Sequence, residues 1–211
     1  MTAAPLQVVT VAHVEILVEE PSMEATLRLI VPKIVRDLSF QVYTYQCKQD
    51  LLDKLPSRLQ GYAAWLPEDW RIIVIVDRDD DHCNQLKRKL ETATKNAGLR
   101  TRTHGQGPVQ VVNRLAIEEL EAWFFGDWEA VRTAYPNVNK NIPNKQGCRD
   151  PDAITGGTWE ALERIFKRAG YFRKGLRKIE ASRAIAQHMN PQINSSRSFQ
   201  AFRDSLGEMM P

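Results

Sequence analysis

The hydrophobic positions of this chain fall into two recurring patterns, short apolar runs and longer stretches with helical spacing. The run at 14–18 (VEILV) is rich in β-branched residues and ends at Glu19, which predicts a buried strand that stops in a turn. Apolar residues then recur every three or four positions over 23–38, with Ser22 as the candidate N-cap, and this spacing predicts a helix. The alternating, β-rich segment 40–45 (FQVYTY) predicts the second strand.

The clearest strand of the sequence is predicted over residues 72–76. Consecutive β-branched residues at 72–76 (IIVIV) directly precede Asp77 and predict a strand buried on both faces, as in the centre of a parallel sheet. Helical spacing over 51–59 predicts the helix before it, with a break or kink at Pro56. The remaining elements of this half are a helix over 84–96 closed by Gly98, a strand over 109–112 and a helix over 116–125.

Strands that alternate with helices of these lengths predict an α/β fold, a sheet of mainly parallel strands flanked by helices with right-handed crossovers. The composition of the chain changes at 135–157, where Pro, Asn and Gly residues interrupt the hydrophobic periodicity. Helical spacing returns over 159–169, 176–188 and 199–206. The predicted organisation is an α/β domain over 1–134, a linker or long loop over 135–157, and a small basic helical lobe over 158–211 packed on the sheet domain.

Composition excludes several classes of protein without indicating a function. Hydrophobic residues make up 43% and charged residues 26% of the chain, near the averages of globular domains, which argues against disordered, collagen-like and coiled-coil proteins. The 3 cysteines are odd in number and far apart, which argues against a disulfide framework or a zinc ribbon. Segment 1–7 lacks the pattern of a signal peptide, and no apolar stretch is long enough to cross a bilayer. We therefore expect a cytoplasmic protein with no membrane partner.

Charge is distributed unevenly along the chain. Residues 1–130 carry 15 Lys and Arg against 19 Asp and Glu, whereas residues 131–211 carry 14 against 7. Basic residues interleaved with aromatic ones between Arg164 and Arg183 suit a surface that follows phosphates, although the plainer alternative is a solvated face around a helix core. The candidate nucleic-acid contacts are Lys167, Arg168, Arg173, Lys174, Arg177 and Lys178.

Acidic residues follow the two most convincing strands. Glu19 follows the first strand, and Asp77 with Asp79 follows the central one, so all three are expected at the edge of the sheet where functional groups of α/β folds gather. If the backbone stays extended, Asp77 and Asp79 point to one side, as a pair of oxygen ligands requires. The acids within 77–81 repel one another, and bound Mg²⁺ or Mn²⁺ would relieve the repulsion. The alternative is a set of solvated loop acids that cap the next helix.

The order strand, Glu, helix, strand, Asp-x-Asp resembles the Toprim domain of topoisomerases, bacterial primases and the overcoming-lysogenization-defect type nucleases. In those nucleases the first motif reads Glu-Gly-x-Thr-Glu after an apolar strand, and residues 18–24 (VEEPSME) are similar. Glu20 replaces the usual glycine, which predicts an altered turn or a further ligand.

A closer resemblance is to family 4276 of the domains of unknown function, which is Toprim-like. It rests on 115–124 (LAIEELEAWF), on the Tyr-x-x-Lys segment 171–174, and on 196–202 (SRSFQAF), and it spans nearly the whole chain. The resemblance implies that Glu19, Asp77 and Asp79 are metal ligands or proton-transfer groups, that Glu119 or Glu121 closes the other side, and that Lys174 stabilises charge near the phosphate. Glu119 and Glu121 lie two positions apart on a predicted helix and cannot face the same way, so we expect one ligand and favour Glu121.

Three functions are compatible with these features. The first is a divalent-metal-dependent nuclease that hydrolyses phosphodiester bonds in DNA or RNA, as a phage-defence effector with an ATPase partner, and it follows from the resemblance. The second is a non-catalytic adaptor or regulatory module that keeps the fold, which the residue at position 20 favours. The third is a receiver-like or flavodoxin-like domain with a coincidental acidic pocket. Assembly into a homo-oligomer is left open.

Overall fold

The computed structural model describes residues 10–209, so the N-terminal segment considered above and residues 210–211 lie outside the described part. Its centre is a four-stranded sheet with the order β2-β1-β3-β4, in which every pair of neighbours is parallel. The strands are β1 (His13–Val18), β2 (Ser39–Thr44), β3 (Trp70–Asp77) and β4 (Val111–Ala116). The predicted α/β class is confirmed, and the arrangement is consistent with a Toprim-like fold.

Parallel pairing brings the carboxyl ends of all four strands to one edge of the sheet. Val18 at the end of β1 lies opposite Thr44 of β2 and Ile75 of β3, and Asp77 lies opposite Ala116 of β4. Glu19, which directly follows Val18, therefore emerges at the same edge as Asp77.

The helices cover both faces of the sheet. Helix α1 (Pro21–Ile34) packs on one face through Met23 and Leu27, whereas α2 (Lys48–Trp65) and α3 (Cys83–Asn96) pack on the other. Strand β2 lies on one side of β1, whereas β3 and β4 follow in turn on the other side. Because crossovers of the same hand run in these two directions, α1 covers one face of the sheet, and α2 and α3 cover the other.

Two local predictions in this half were wrong. Helix α1 begins at Pro21 with Glu20 as its N-cap, so Ser22 lies inside the helix. A proline is favourable at the first helical position because its missing N–H would have no partner there. Helix α2 continues through Pro56, so the predicted break does not occur, whereas the alternative of a kink stays a prediction. Pro56 is exposed, so its ring faces solvent rather than the sheet.

Strand β4 and the next helix lie later in the chain than the pattern predicted. The strand extends to Ala116 because its ladder with β3 continues into the following turn, where the N–H of Arg78 donates to Ala116 at 2.9 Å and that of Asp79 to Glu118 at 2.8 Å. Glu118 has a left-handed backbone with φ 49° and turns the chain. Helix α4 therefore starts only at Glu121 and spans Glu121–Gly126.

The C-terminal helices share a hydrophobic core with the sheet. The core that contains β1 and β3 residues continues through Trp123, Phe166, Ile185 and Phe202. Segment 135–157 is a long loop with two 3-10 turns, Ile142–Asn144 and Pro151–Ala153. The remaining helices are α5 (Trp128–Ala134), α6 (Thr158–Arg168), α7 (Lys178–His188) and α8 (Arg197–Met209).

Within residues 10–209, the helices are all too short or too polar to span a membrane.

Candidate functional site

Glu19 and Asp77 meet at the carboxyl edge of the sheet. Both are buried, with 7% and 5% of their surface exposed. Glu19 Oε1 accepts a hydrogen bond from the backbone N–H of Asp77 at 2.5 Å. The side chain of Asp77 follows Ile73 and Ile75 on the α1 face of the strand, and its Oδ1 atom is buried without a hydrogen-bond partner among the described residues.

Glu121 is a further buried acid on the same face of the sheet. It is the first residue of α4 and is 1% exposed, and neither of its carboxylate oxygens has a hydrogen-bond partner within residues 10–209. Its negative charge acts on Asp77, as do the charges of Glu19 and Glu20. We refer to Glu19, Glu20, Asp77 and Glu121 as the acid cluster.

Burial is the main cause of unusual pKa values in the acid cluster. It raises the pKa of Glu19 to about 7, helped by the charge of Asp79 and opposed by the hydrogen bond from Asp77. Burial raises the pKa of Glu121 to about 8 and that of Asp77 well above its ordinary value, and the charges of neighbouring acids add to both shifts. The fully ionised cluster is therefore costly in the absence of a cation.

Asp79 has a different environment from Asp77. Its φ is 47°, so the extended backbone assumed for the Asp-x-Asp motif ends before this residue. Its carboxylate lies 2.5 Å from the ammonium group of Lys48, which also contacts Asp81 at 2.8 Å and donates to the carbonyl of Arg78 at 3.1 Å. Asp79 is thus close enough to influence Glu19, but its charge is balanced by a lysine at the start of α2.

Glu119 supports the N-terminus of α6. One of its carboxylate oxygens accepts hydrogen bonds from the N–H of Thr158 at 3.0 Å, the hydroxyl of Thr158 at 2.8 Å and the N–H of Trp159 at 3.0 Å. Glu119 precedes α4 rather than lying on it, so the predicted helical relationship between Glu119 and Glu121 does not apply. Of the two acids, Glu121 is the one in the acid cluster.

Lys178 brings a positive charge to the acid cluster. Its ammonium group lies 3.8 Å from Glu20 and 5.3 Å from the ring centre of Trp159. Burial disfavours its charged form, but Glu121 and Glu20 outweigh that effect and raise its pKa. The sequence grouped Lys178 with the nucleic-acid contacts, and only the packing of α7 against α1 brings it near these acids.

The other predicted nucleic-acid contacts lie mainly on the surface. Lys167 pairs with Glu163 at 3.0 Å, and Arg177 pairs with Glu180 at 3.0 Å. Arg168, Arg173 and Lys174 are exposed. No part of the structure tests whether these residues bind nucleic acid, so this assignment stays a prediction.

A protein-family model described as a domain of unknown function (DUF4276) matches residues 18–207. The chain belongs to this family. No curated protein and no solved structure matched it.

The segments 115–124 and 196–202, which carry the resemblance to the DUF4276 family, contact each other beside the acid cluster. The indole N–H of Trp123 donates to the hydroxyl of Ser198 at 3.1 Å. Its ring packs edge-on against Phe199 at 5.2 Å and nearly parallel to Phe202 at 5.3 Å between centres. Because Trp123 and Glu121 share the short helix α4, this contact fixes the helix that carries the buried acid.

The amino end of α8 is held by an acid that the sequence did not single out. Asp152 accepts hydrogen bonds from the N–H groups of Arg197 at 2.5 Å and Ser198 at 3.2 Å, and from the hydroxyls of Ser196 at 2.9 Å and Ser198 at 2.8 Å. The only sequence signal was a pair of serines before a helix, which often marks a helix start.

The donor chemistry of the acid cluster suits a hard divalent cation, since it offers carboxylate oxygens that lack hydrogen-bond partners. As placed, however, no three His, Cys, Asp or Glu side chains within residues 10–209 form a group that could hold a metal ion. Water molecules or a rotation of side chains would have to complete the coordination of a metal, and the predicted roles of Glu19, Asp77, Asp79, Glu119 and Glu121 as ligands stay predictions.

Proposed function

We propose that this protein is a divalent-metal-dependent nuclease that hydrolyses phosphodiester bonds. The observation that supports the proposal most directly is the set of unpartnered carboxylate oxygens on Asp77 and Glu121, buried at the edge of the sheet where Glu19 also ends. Buried charges are normally paired or bound to metal. The resemblance of the motif at 18–24 to that of Toprim nucleases points to the same chemistry.

Glu19, Asp77 and Glu121 would hold Mg²⁺ or Mn²⁺, and Asp79 would join them if it separated from Lys48. A cation bound there would offset phosphate charge and lower the pKa of a coordinated water. The pKa of Glu19 is about 7 in the metal-free protein, and a bound cation would lower it and hold the carboxylate ionised as a ligand. Lys178, which lies beside Glu20, would stabilise negative charge on a phosphate oxygen, a role that the family resemblance implied for Lys174.

A cleavage assay tests this proposal. Plasmid DNA, single-stranded DNA and RNA are incubated with the wild type in Mg²⁺, Mn²⁺, Ca²⁺ or EDTA, and with two variants, Asp77→Asn and Asp80→Asn. Asp80 is an exposed acid of the same loop and serves as the matched control. We expect metal-dependent cleavage that Asp77→Asn reduces by about 100-fold or more and Asp80→Asn leaves intact. Cleavage that continues in EDTA, or that Asp77→Asn leaves unchanged, would refute the proposal.

By the same resemblance, the proposed setting is phage defence with an ATPase partner. If an ATPase is encoded beside the gene, the two proteins can be produced together and the ATPase added to the cleavage assay. Cleavage that requires or is accelerated by ATP and the partner supports this setting.

A second candidate function is that of a non-catalytic adaptor or regulatory module. It is favoured by Lys178, which places a cation near the acids, and by the absence of a complete ligand set among residues 10–209. This candidate predicts that the protein binds no divalent metal, or binds it without cleaving any substrate even when the partner is present.

A further inference from the structure

A groove with aromatic walls runs beside the outer strand β2, on the α2 face of the sheet. Two cavities of about 480 Å³ each adjoin there and share Tyr45, Lys54 and Arg58 as lining residues. We define the aromatic groove by its six principal side chains, which are Tyr43, Tyr45, Lys54, Arg58, Tyr62 and Trp65.

The aromatic groove begins near the candidate site. Its first cavity includes Thr44 and Gln46, close to Lys48, which pairs with Asp79. Its second cavity reaches Trp65, the last residue of α2. Helix α2 has 18 residues and is about 27 Å long, so a groove along it offers room for several nucleotides of an extended strand.

Arg58 is held in place by the rings around it. Its guanidinium carbon lies 4.7 Å from the centre of the Tyr43 ring and 4.9 Å from that of Tyr62. It donates to the Tyr62 hydroxyl at 3.0 Å, and this hydroxyl donates to the buried carboxylate of Glu15 at 2.5 Å. Within residues 10–209 no carboxylate or carbonyl oxygen accepts a hydrogen bond from Arg58, so several of its donors are available to a phosphate oxygen.

The remaining side chains of the aromatic groove complete a surface for bases and phosphates. Trp65 is 55% exposed, an unusual state for a residue of its size, and its ring contacts Trp70 edge-on at 5.7 Å. Lys54 is exposed and pairs with Asp50 at 2.6 Å, and Asp50 also accepts a hydrogen bond from the N–H of Gln46 at 3.1 Å. The groove therefore combines aromatic faces with cations along one helix, the pattern of single-stranded nucleic-acid sites.

We propose that the aromatic groove binds a single strand of nucleic acid, with bases stacked on Trp65 and Tyr45 and phosphates at Arg58 and Lys54. This inference rests on the proposed function, because one end of the groove lies at the carboxyl edge of the sheet, the edge at which the acid cluster also lies. A duplex is a poorer occupant, since its bases are already stacked and cannot lie on the exposed rings. A second copy of the chain would bury the same tryptophan, but the unfilled donors of Arg58 favour an anionic occupant.

Fluorescence anisotropy with a labelled 15-nucleotide oligothymidylate in EDTA tests the inference without cleavage. Trp65→Ala and Arg58→Gln should each weaken binding by about tenfold, since the first removes a stacking surface and the second a phosphate contact. The control Arg88→Gln, which removes one positive charge from an exposed position of α3, should change binding by less than about twofold. Thermal unfolding of each variant shows whether it is folded. Binding should quench the tryptophan emission of the wild type, and Trp65→Phe should lose this quenching if the base stacks on Trp65.

Three results would overturn the inference. The first is binding that Trp65→Ala and Arg58→Gln leave unchanged, which would indicate that the oligonucleotide binds elsewhere, for example at the basic residues of α6 and α7. The second is binding of duplex in preference to the single strand. The third is a dimer that dissociates in Trp65→Ala and binds no oligonucleotide. Because binding is measured in EDTA, a protein that binds through this groove but never cleaves would refute only the nuclease proposal.

Discussion

Glu19 and Asp77 are 58 positions apart in the chain, and the carboxylate of the first accepts the backbone N–H of the second at 2.5 Å. The bond joins the end of β1 to the end of β3 and fixes the Glu19 side chain at the edge of the sheet. It favours the ionised form of Glu19, yet burial dominates and the pKa rises to about 7. In the metal-free protein the Glu19 carboxyl therefore takes up a proton near neutral pH.

The first prediction concerns stability against pH. The pKa of Glu19 rises from 4.5 to about 7 and that of Glu121 from 4.5 to about 8 on folding, so the folded chain binds these protons more tightly than the unfolded chain. Stability must then fall as pH rises through this window. We expect the metal-free midpoint of thermal unfolding to decrease between about pH 5.5 and about pH 8.5. Differential scanning calorimetry across this range measures it.

The control for this prediction is Glu121→Gln, which keeps the shape of the side chain but does not ionise. It should flatten the pH dependence and stabilise the metal-free protein by about 1 to 3 kcal/mol near pH 8. A midpoint that rises with pH in the wild type, or an unchanged slope in the variant, would contradict the assignment of a raised pKa to Glu121.

The second prediction concerns metal binding itself. Addition of Mn²⁺ or Mg²⁺ at pH 8 should raise the unfolding midpoint of the wild type, because a ligand that binds only the folded state stabilises it by mass action. Asp77→Asn should abolish this shift, whereas Asp80→Asn should retain it. Isothermal titration of Mn²⁺ into the three proteins gives the affinities directly. Equal affinities for wild type and Asp77→Asn would exclude Asp77 as a ligand.

The sequence predicted the parts of the fold that follow from local periodicity. The β-branched run of β3 and the acids that end β1 and β3 were sufficient to anticipate the sheet and the meeting of Glu19 with Asp77, since parallel strands share a carboxyl edge. The turn at Glu118 was not predictable from spacing, because the ladder with β3 decides where β4 ends. The position of Lys178 beside Glu20 depends on long-range packing, which periodicity does not encode.

The third prediction separates Glu119 from Glu121. Glu119→Ala removes three hydrogen bonds at the start of α6 and should destabilise the protein by about 1 to 2 kcal/mol. Metal affinity should remain within about threefold of the wild type, because the binding free energy changes only when a ligand or its immediate support is lost. Chemical denaturation and Mn²⁺ titration provide the two measurements. A large loss of metal affinity without loss of stability would instead make Glu119 a ligand.

The fourth prediction concerns the support of α4 by α8. Asp152→Ala removes four hydrogen bonds to the amino end of α8 and should cost about 2 kcal/mol or more of unfolding free energy. Because α8 carries Ser198 and Phe202 against Trp123, near-ultraviolet circular dichroism should change as well. Asp150→Ala is the comparison, since Asp150 is exposed and, within residues 10–209, its carboxylate accepts one hydrogen bond, from the N–H of Asp152. An equal loss of stability in both variants would argue against a special role for the Asp152 carboxylate.

The last prediction compares two lysines of the basic C-terminal region. If Lys178 stabilises charge on a phosphate oxygen, Lys178→Gln should reduce cleavage by about 100-fold, while Lys174→Gln at an exposed position should reduce it by less than about threefold. Removal of this positive charge also leaves the acids less compensated, so Lys178→Gln should bind Mn²⁺ more tightly than the wild type even though it cleaves more slowly. A charge-stabilising role thus predicts opposite changes in metal affinity and in turnover. Parallel losses of both would indicate that Lys178 only maintains the structure of the acid cluster, and a larger effect of Lys174→Gln would return the role to Lys174.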